Sequence, residues 1–196
     1  MNKALFLDRD GVINKMVKYD NGWDSPQNPN GVKLVNGTEK IISWANKNNI
    51  LVVEISNQPG VAKGKMTQTM SDDVEKQIHL LLKKRGAVID KVYFCPHHPE
   101  AVIPEFKKVC NCRKPKPGLL LRATKELKID LTKSIMLGDK AGDVEAGKKA
   151  GCKTIIFIHN EDAKNKVDES KKVKADYKIS KISDAINLIR EEFKSM

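Results

Sequence analysis

Two aspartates one residue apart, Asp8 and Asp10, close the apolar run Ala4-Leu5-Phe6-Leu7, and Gly11 follows them. Alternate side chains of an extended segment share a face, so the pair starts out on one side of the chain. Like charges buried together are unfavourable unless a cation or a proton intervenes. Such a pair suits a hard cation, and an aspartate can also serve as a nucleophile that forms an acyl phosphate. A second apolar run, residues 50–55, ends at Ser56, Asn57 and Gln58, and another, Ser134-Ile135-Met136-Leu137, ends at Asp139 and Lys140 with Asp143 just beyond. Ligands of open α/β sheets collect beyond the carboxyl ends of the strands. Three polar strand ends therefore predict one site at that edge, holding carboxylates for a cation, a hydroxyl and amides for an anion, and Lys114. That inventory is one for phosphoryl transfer. The chain contains neither G-x-x-x-x-G-K-S/T nor G-x-G-x-x-G, which disfavours nucleotide cradling of those kinds.

A second constellation is built from softer atoms. Cys95-Pro96-His97-His98 and Cys110-Asn111-Cys112 supply three thiolates and an imidazole, a set suited to tetrahedral structural zinc. By spacing alone, His98 could replace His97. Met1-Asn2-Lys3 followed by four apolar residues does not read as a signal peptide, so a cytosolic location is expected and metal is favoured over disulfide. The zinc loop, residues 95–112, is rich in proline and leads straight into Arg113 and Lys114. Stiffening that approach is the job expected of the zinc, leaving Mg²⁺ as the catalytic metal. Cys152 reads as a small buried residue, His79 and His159 as isolated, and Arg9 as a structural residue on the face opposite the two aspartates.

These groups must be positioned by a chain of 196 residues, 40% hydrophobic and 31% charged, ordinary values for one globular domain. No apolar run approaches the ~20 residues that span a bilayer. The net charge of +11 raises the question of nucleic acid. The excess is lysine, with arginine only at 9, 85, 113, 122 and 190, whereas base and phosphate recognition favours the arginine fork. The lysines are interspersed with acids and aromatics are scarce, so no nucleic-acid partner and no membrane is expected. A monomer is the default, since no long apolar stripe is left over.

The hydropathy pattern alternates strands and helices. Strands are expected at 4–7, 50–55, 88–94, 134–137, 154–158 and, at the sheet edge, 175–179. Helices are expected from Thr38 to about 48, from Ser71 to Gly86, and over 119–127, 143–150 and 182–193. Residues 11–36, punctuated by Asn-Gly and Pro steps, read as a long loop or substrate flap, and 160–174 as a charged surface excursion. Such alternation predicts a doubly wound, Rossmann-like α/β domain with a parallel sheet, spanning 1–196 without a dividing linker.

Phe6-Leu-Asp-Arg-Asp-Gly-Val-Ile-Asn14, Ile55-Ser-Asn-Gln58, Cys112-Arg-Lys-Pro-Lys-Pro-Gly118 and Leu137-Gly-Asp-Lys140 with Asp143 resemble the four ordered motifs of the haloacid dehalogenase (HAD) superfamily. The zinc loop resembles its branch of heptose bisphosphate phosphatases and histidinol phosphatases. The resemblance implies that Asp8 is the nucleophile, Asp10 the general acid and base, and Ser56 and Lys114 the holders of the transferring phosphoryl group. It implies Mg²⁺ on Asp8, Asp139 and the Asp10 carbonyl, with Asp143 supporting them. It implies zinc on Cys95, His97, Cys110 and Cys112, and substrate contacts from Asn57, Gln58, Arg113 and Lys140. No stretch is long enough for an inserted cap domain, so an open site is expected. The zinc loop looks closest to enzymes that remove the 7-phosphate of heptose 1,7-bisphosphate, making a small phosphorylated sugar the expected substrate. Residues 15–31 depart from the short substrate clamp of those enzymes. Histidinol phosphatase and polynucleotide 3′-phosphatase are the enzyme alternatives. A zinc-stabilised nucleic-acid-binding module is the non-enzyme alternative, and it would leave Asp8, Asp10 and Asp139 without purpose.

Overall fold

The computed structural model describes residues 1–20, 22–158 and 173–195. Six parallel strands form one sheet in the order β5-β4-β1-β6-β7-β8. They are β1 (Ala4–Leu7), β4 (Leu51–Asn57), β5 (Lys91–Cys95), β6 (Ile135–Gly138), β7 (Lys153–Phe157) and β8 (Tyr177–Ile179). A separate antiparallel hairpin pairs β2 (Val17–Tyr19) with β3 (Gly22–Asp24). Among the described residues five α-helices cover the sheet: α1 (Thr38–Lys47), α2 (Gln68–Lys83), α3 (Gly118–Leu127), α4 (Ala141–Ala150) and α5 (Ile182–Ser195).

Strand side chains alternate between two faces, and the cores divide accordingly. Leu5, Leu7, Val52, Ile135, Leu137 and Ile155 pack under α1, α2 and α5, whereas Phe6, Val53, Ile55 and Met136 pack under α3 and α4. Burial on both faces is why the strands read as continuous apolar runs. Fully burying a Leu or Phe side chain is worth about 1.5–3 kcal/mol. Leu5, Phe6 and Leu7 are at most 1% exposed, and that burial offsets the cost of carrying two carboxylates at the strand's end.

The chain steps from β1 to β4 on one side and β6 lies on the other, so β1 marks the point where the winding reverses. Register aligns Leu7 with Glu54 and with Leu137. The ends of β1, β4 and β6 thus reach the same edge, where crevices of such sheets bind ligands.

Several local expectations shift. The helix expected to be capped by Thr38 has Gly37 as its N-cap, at φ 93°, because the Thr38 hydroxyl donates to the Val12 carbonyl instead. Helix α2 starts a turn before Ser71, since the Thr67 hydroxyl accepts from the Met70 N–H at 3.2 Å. Residues 11–36 are not all flap. Val12, Ile13, Val32, Leu34 and Val35 are buried in the core beneath α1, which leaves the hairpin and its flanks over the sheet edge. The edge strand is shorter than expected and pairs parallel with β7. Residue 159 and most of the 160–174 excursion lie outside the described residues.

Helix α4 approaches the sheet through Gly147. A Cβ there would meet Thr154 Cγ2 at 2.8 Å and Met136 Cβ at 2.9 Å. Because overpacking typically costs about 1–3 kcal/mol, Gly147→Ala should lower the urea midpoint by that order. It should also cut activity, since the displaced helix carries Asp143 in its first turn; a urea titration and an assay on one preparation check both.

Candidate active site

The carboxyl edge gathers charge from four segments. Asp8 follows β1, Ser56 and Asn57 end β4, Asp139 and Lys140 lead from β6 into α4, and Lys114 arrives from the loop after β5. At the centre the Lys114 ammonium lies 2.8 Å from Asp8 Oδ1 and 2.6 Å from Asp143 Oδ1, and donates to the Ile55 carbonyl at 2.6 Å. Its side chain is 4% exposed. Burial disfavours the ammonium, but Asp143 and Asp8 more than offset this and raise its pKa. Asn57 fixes the Lys114 backbone: its Nδ2 donates to the Lys114 carbonyl and its Oδ1 accepts from the Lys114 N–H, both at 3.1 Å. Gly138 makes room for Asp143, because a Cβ at 138 would fall 2.1 Å from the Asp143 Cβ. The other Asp143 oxygen caps α4 by accepting from the Lys140 N–H at 2.9 Å.

Asp10 sits in a cradle of donors. Oδ2 accepts from Gln58 Nε2 at 2.6 Å, Ser25 Oγ at 2.8 Å and Arg9 at 3.2 Å, and Oδ1 accepts from Asn14 Nδ2 at 2.9 Å. Burial pushes the carboxyl up, yet Arg9, Gln58 and Asn14 outweigh it and hold it down at about 2. Arg9 does leave on the α2 face, as expected, but it is not remote from the chemistry. Its guanidinium spans Asp10, the Gln58 carbonyl oxygen and Glu75 of α2, the last at 3.2 Å. His79 is not isolated either, since its Nε2 lies 3.0 Å from Glu75. Beneath this chain Glu54 is fully buried, with neither carboxylate oxygen hydrogen-bonded to any of the described residues.

Asp8, Asp10, Ser56, Asn57, Arg113, Lys114, Asp139, Lys140 and Asp143 line one cavity of about 480 Å³, together with Met16, Asp24 and Ser25 from the hairpin region. Gln58 is not among the lining residues. It faces inward, donating to Asp10 and to Ser56 Oγ at 2.7 Å. Lys140 is half-exposed, 3.8 Å from Asp139. Lys65, from the loop after β4, pairs with Asp24 and ties the hairpin down. Sequence reasoning passed over Ser25, Asp24 and Glu54. Ser25 lies in a stretch without periodicity, while Glu54 was visible as an acid inside an apolar strand.

Asp8, Asp139 and Asp143 offer three buried carboxylate oxygens within 4.8 Å of one another, an all-oxygen set that fits a hard divalent cation. The sulfur cluster lies beside the cavity. The Sγ atoms of Cys95, Cys110 and Cys112 are 3.1–3.5 Å apart, and His97 Nδ1 is 3.3 Å from Cys112 and 3.6 Å from Cys95. One four-coordinate ion can touch all four, and the soft donor set fits zinc. His98 turns away, its Nδ1 accepting from the Glu100 N–H. The cluster is joined to the cavity by Arg113, which donates to the His97 carbonyl at 3.1 Å. No disulfide occurs among the described cysteines.

The HAD-hydrolase-like family model matches residues 111–185. The chain is 35% identical over 190 residues to the D-glycero-beta-D-manno-heptose-1,7-bisphosphate 7-phosphatase of Haemophilus influenzae, covering 97% of this chain and 98% of that one. The same figures hold for the Pasteurella multocida relative of the same name. The chain belongs to this heptose bisphosphate phosphatase family. It is thus a phosphatase of the HAD superfamily. Among solved structures, the D,D-heptose 1,7-bisphosphate phosphatase of B. bronchiseptica, complexed with magnesium and phosphate, superposes with a TM-score of 0.79. That match covers 97% of this chain and 99% of the other at 24% identity, and it shows that the two share a fold. No helix among the described residues is long and apolar enough to cross a membrane.

Glu54 makes this phosphatase's stability depend on pH. Burial, then the charge of Glu75, raises its pKa well above the usual value, with Arg9 pulling the other way. A carboxyl raised on folding stabilises the protein below the unfolded value near 4.5. That contribution is lost as pH rises toward the folded value, and every tenfold gain in proton affinity on folding corresponds to about 1.4 kcal/mol. Urea midpoints measured from pH 5 to pH 9 should therefore fall for the wild type and fall less for Glu54→Gln, which has no proton to lose there. Parallel curves would mean that Glu54 is ionised throughout.

Proposed function

We propose that this chain removes the 7-phosphate of D-glycero-D-manno-heptose 1,7-bisphosphate through an aspartyl-phosphate intermediate. The observation that carries the chemistry is the convergence of Asp8, Asp10, Ser56, Lys114 and Asp139 on one cavity from the ends of β1, β4 and β6 and the loop after β5. The substrate rests on membership of the family, whose Haemophilus and Pasteurella members carry the β anomer in their names. The open cavity beneath the hairpin accommodates a sugar, with Arg113 and Lys140 at its rim for anionic or hydroxyl groups.

In this reading Asp8 attacks phosphorus and Lys114 balances the charge that accumulates on the phosphoryl oxygens. The Ser56 hydroxyl, oriented by Gln58, donates to one of those oxygens. Phosphoryl transfer is governed by such positioning and electrostatics. Asp10 protonates the departing sugar oxygen, then accepts a proton from the water that cleaves the aspartyl phosphate. Asp8 and Asp139 would hold Mg²⁺, with the Asp10 carbonyl beside them and Asp143 steadying Lys114. When bound, Mg²⁺ would supply positive charge that neutralises the phosphoryl oxygens. Asn57 acts by clamping the Lys114 backbone and Gln58 by orienting Ser56 and Asp10, so their parts in substrate binding are indirect. Cys95, His97, Cys110 and Cys112 would hold structural zinc that stiffens the approach to Arg113 and Lys114.

The test is Mg²⁺-dependent phosphate release from both anomers of the heptose bisphosphate, histidinol phosphate and a 3′-phosphorylated oligonucleotide. The heptose bisphosphate should give the highest kcat/KM, and Asp8→Asn should be inactive while retaining its circular dichroism. Residual turnover by Asp8→Asn would rule out the nucleophile. Equal kcat/KM across the panel would rule out heptose specificity.

Protein purified without chelator should carry close to one equivalent of zinc by elemental analysis. Cys112→Ser should lose most of that zinc and unfold at lower temperature. A zinc-free wild type of unchanged stability would remove the metal from this loop.

A further inference from the structure

A third set of metal-type donors stands apart from the two in and beside the cavity. Glu54 of β4 and Glu75 and His79 of α2 offer two carboxylate oxygens and an imidazole nitrogen within 4.8 Å of one another. Residues four apart on a helix share a face, so Glu75 and His79 point down together and Glu54 rises from the strand beneath them. These atoms are orphaned. Both Glu54 oxygens, Glu75 Oε1 and His79 Nε2 are buried and make no hydrogen bond to any described residue. Glu75 and His79 approach to 3.0 Å, but not in the direction a hydrogen bond requires. Glu54 is 0% exposed, so bulk solvent does not serve it. Buried polar groups are almost always partnered, and four orphaned atoms at one point mark a place for something that binds them all.

The local charge points to a cation. Arg9 faces Glu54, Glu75 and Asp10 at once, and its direct contacts go to Asp10, Gln58 and Glu75 Oε2. One guanidinium thus answers three acids, and it leaves Glu75 Oε1 turned toward His79. Glu75 and His79 also line an open surface pocket of about 360 Å³ with Lys76, Leu80 and Lys83, which gives an ion a way in from solvent. We propose that Glu54, Glu75 and His79 form a further metal site, for a divalent transition metal of the zinc type. Imidazole and carboxylate donors suit that ion, each about 2.0–2.2 Å from it, with water completing the shell. A modest side-chain rotation brings the three atoms to that distance. The bound ion staples α2 to β4 and neutralises the buried acid. In chelator a proton on Glu54 takes its place, since burial and Glu75 raise the pKa of that carboxyl. The site is independent of which ester the cavity cleaves.

The probe is Zn²⁺ itself, titrated by equilibrium dialysis and elemental analysis into protein whose sulfur-cluster zinc has been counted, with Mg²⁺ in excess. Wild type, His79→Ala and Glu54→Gln are compared, so that any zinc displacing Mg²⁺ from the cavity cancels in the difference. Wild type should take up about one equivalent that each variant binds about tenfold or more weakly, since even the outer partners of a metal site are typically worth 10–100-fold. Zinc should also raise the unfolding temperature of wild type more than that of His79→Ala. The His79 side chain is 40% exposed, so His79→Ala should keep its circular dichroism and decides the matter even where Glu54→Gln unfolds. Equal uptake by wild type and His79→Ala would overturn the site, as would an equal zinc-induced rise in their unfolding temperatures. Neither result touches the phosphatase reading, which fails separately through an active Asp8→Asn.

Discussion

The structure depends on a buried ammonium among carboxylates. Asp8, Asp10, Asp139 and Asp143 are each at most 7% exposed and share one edge of the sheet, where their mutual repulsion in a poorly solvated space would be prohibitive. Lys114 lies between two of them and Arg9 beside a third. Breaking such a pair by removing one partner leaves an uncompensated buried charge, which costs far more than a surface ion pair. The two cations are not equivalent. Lys114 pairs with Asp8 and Asp143, whereas Arg9 lies on the α2 side with Glu75 as its second counter-ion. The two cations meet the acids from different sides because Asp8 and Arg9 are successive residues at the end of β1, and successive side chains point to opposite faces.

Most of the fold was legible because each strand is covered on both faces. Burial of that kind writes itself as an apolar run, and the polar residue that ends the run marks the sheet edge. Asp8, Ser56 and Asp139 were therefore readable as neighbours before any geometry, and the family resemblance placed them in order and added Lys114. The ends of helices were less legible, since Thr38 and Ser71 look like caps while Gly37 and Thr67 fill that position. There the deciding fact is where each hydroxyl finds its partner, and Thr38 finds the Val12 carbonyl across the chain.

The hairpin region was the least legible part. Its contacts to the site run through single polar atoms, Ser25 to Asp10 and Asp24 to Lys65, and no periodicity announces such contacts. The same holds for Arg9. The residue types on either side of it suggested the opposite face, and only the reach of a long side chain brings its guanidinium back to Asp10.

The clamp between Asn57 and the Lys114 backbone has a further consequence. Lys114 stands 57 residues beyond Asn57, after β5 and the sulfur cluster, yet its place is set by a strand end and not by the contour of the loop that delivers it. The cluster of Cys95, His97, Cys110 and Cys112 fixes the approach to Lys114 and the clamp fixes its backbone, so the course of the chain between His97 and Cys110 need not reach the lysine. Between His97 and Cys110 the backbone can lengthen, shorten or change its path with both anchors fixed. A scaffold wired in this way can vary the loop beside the cavity while Lys114 stays in register with Asp8 and Asp143.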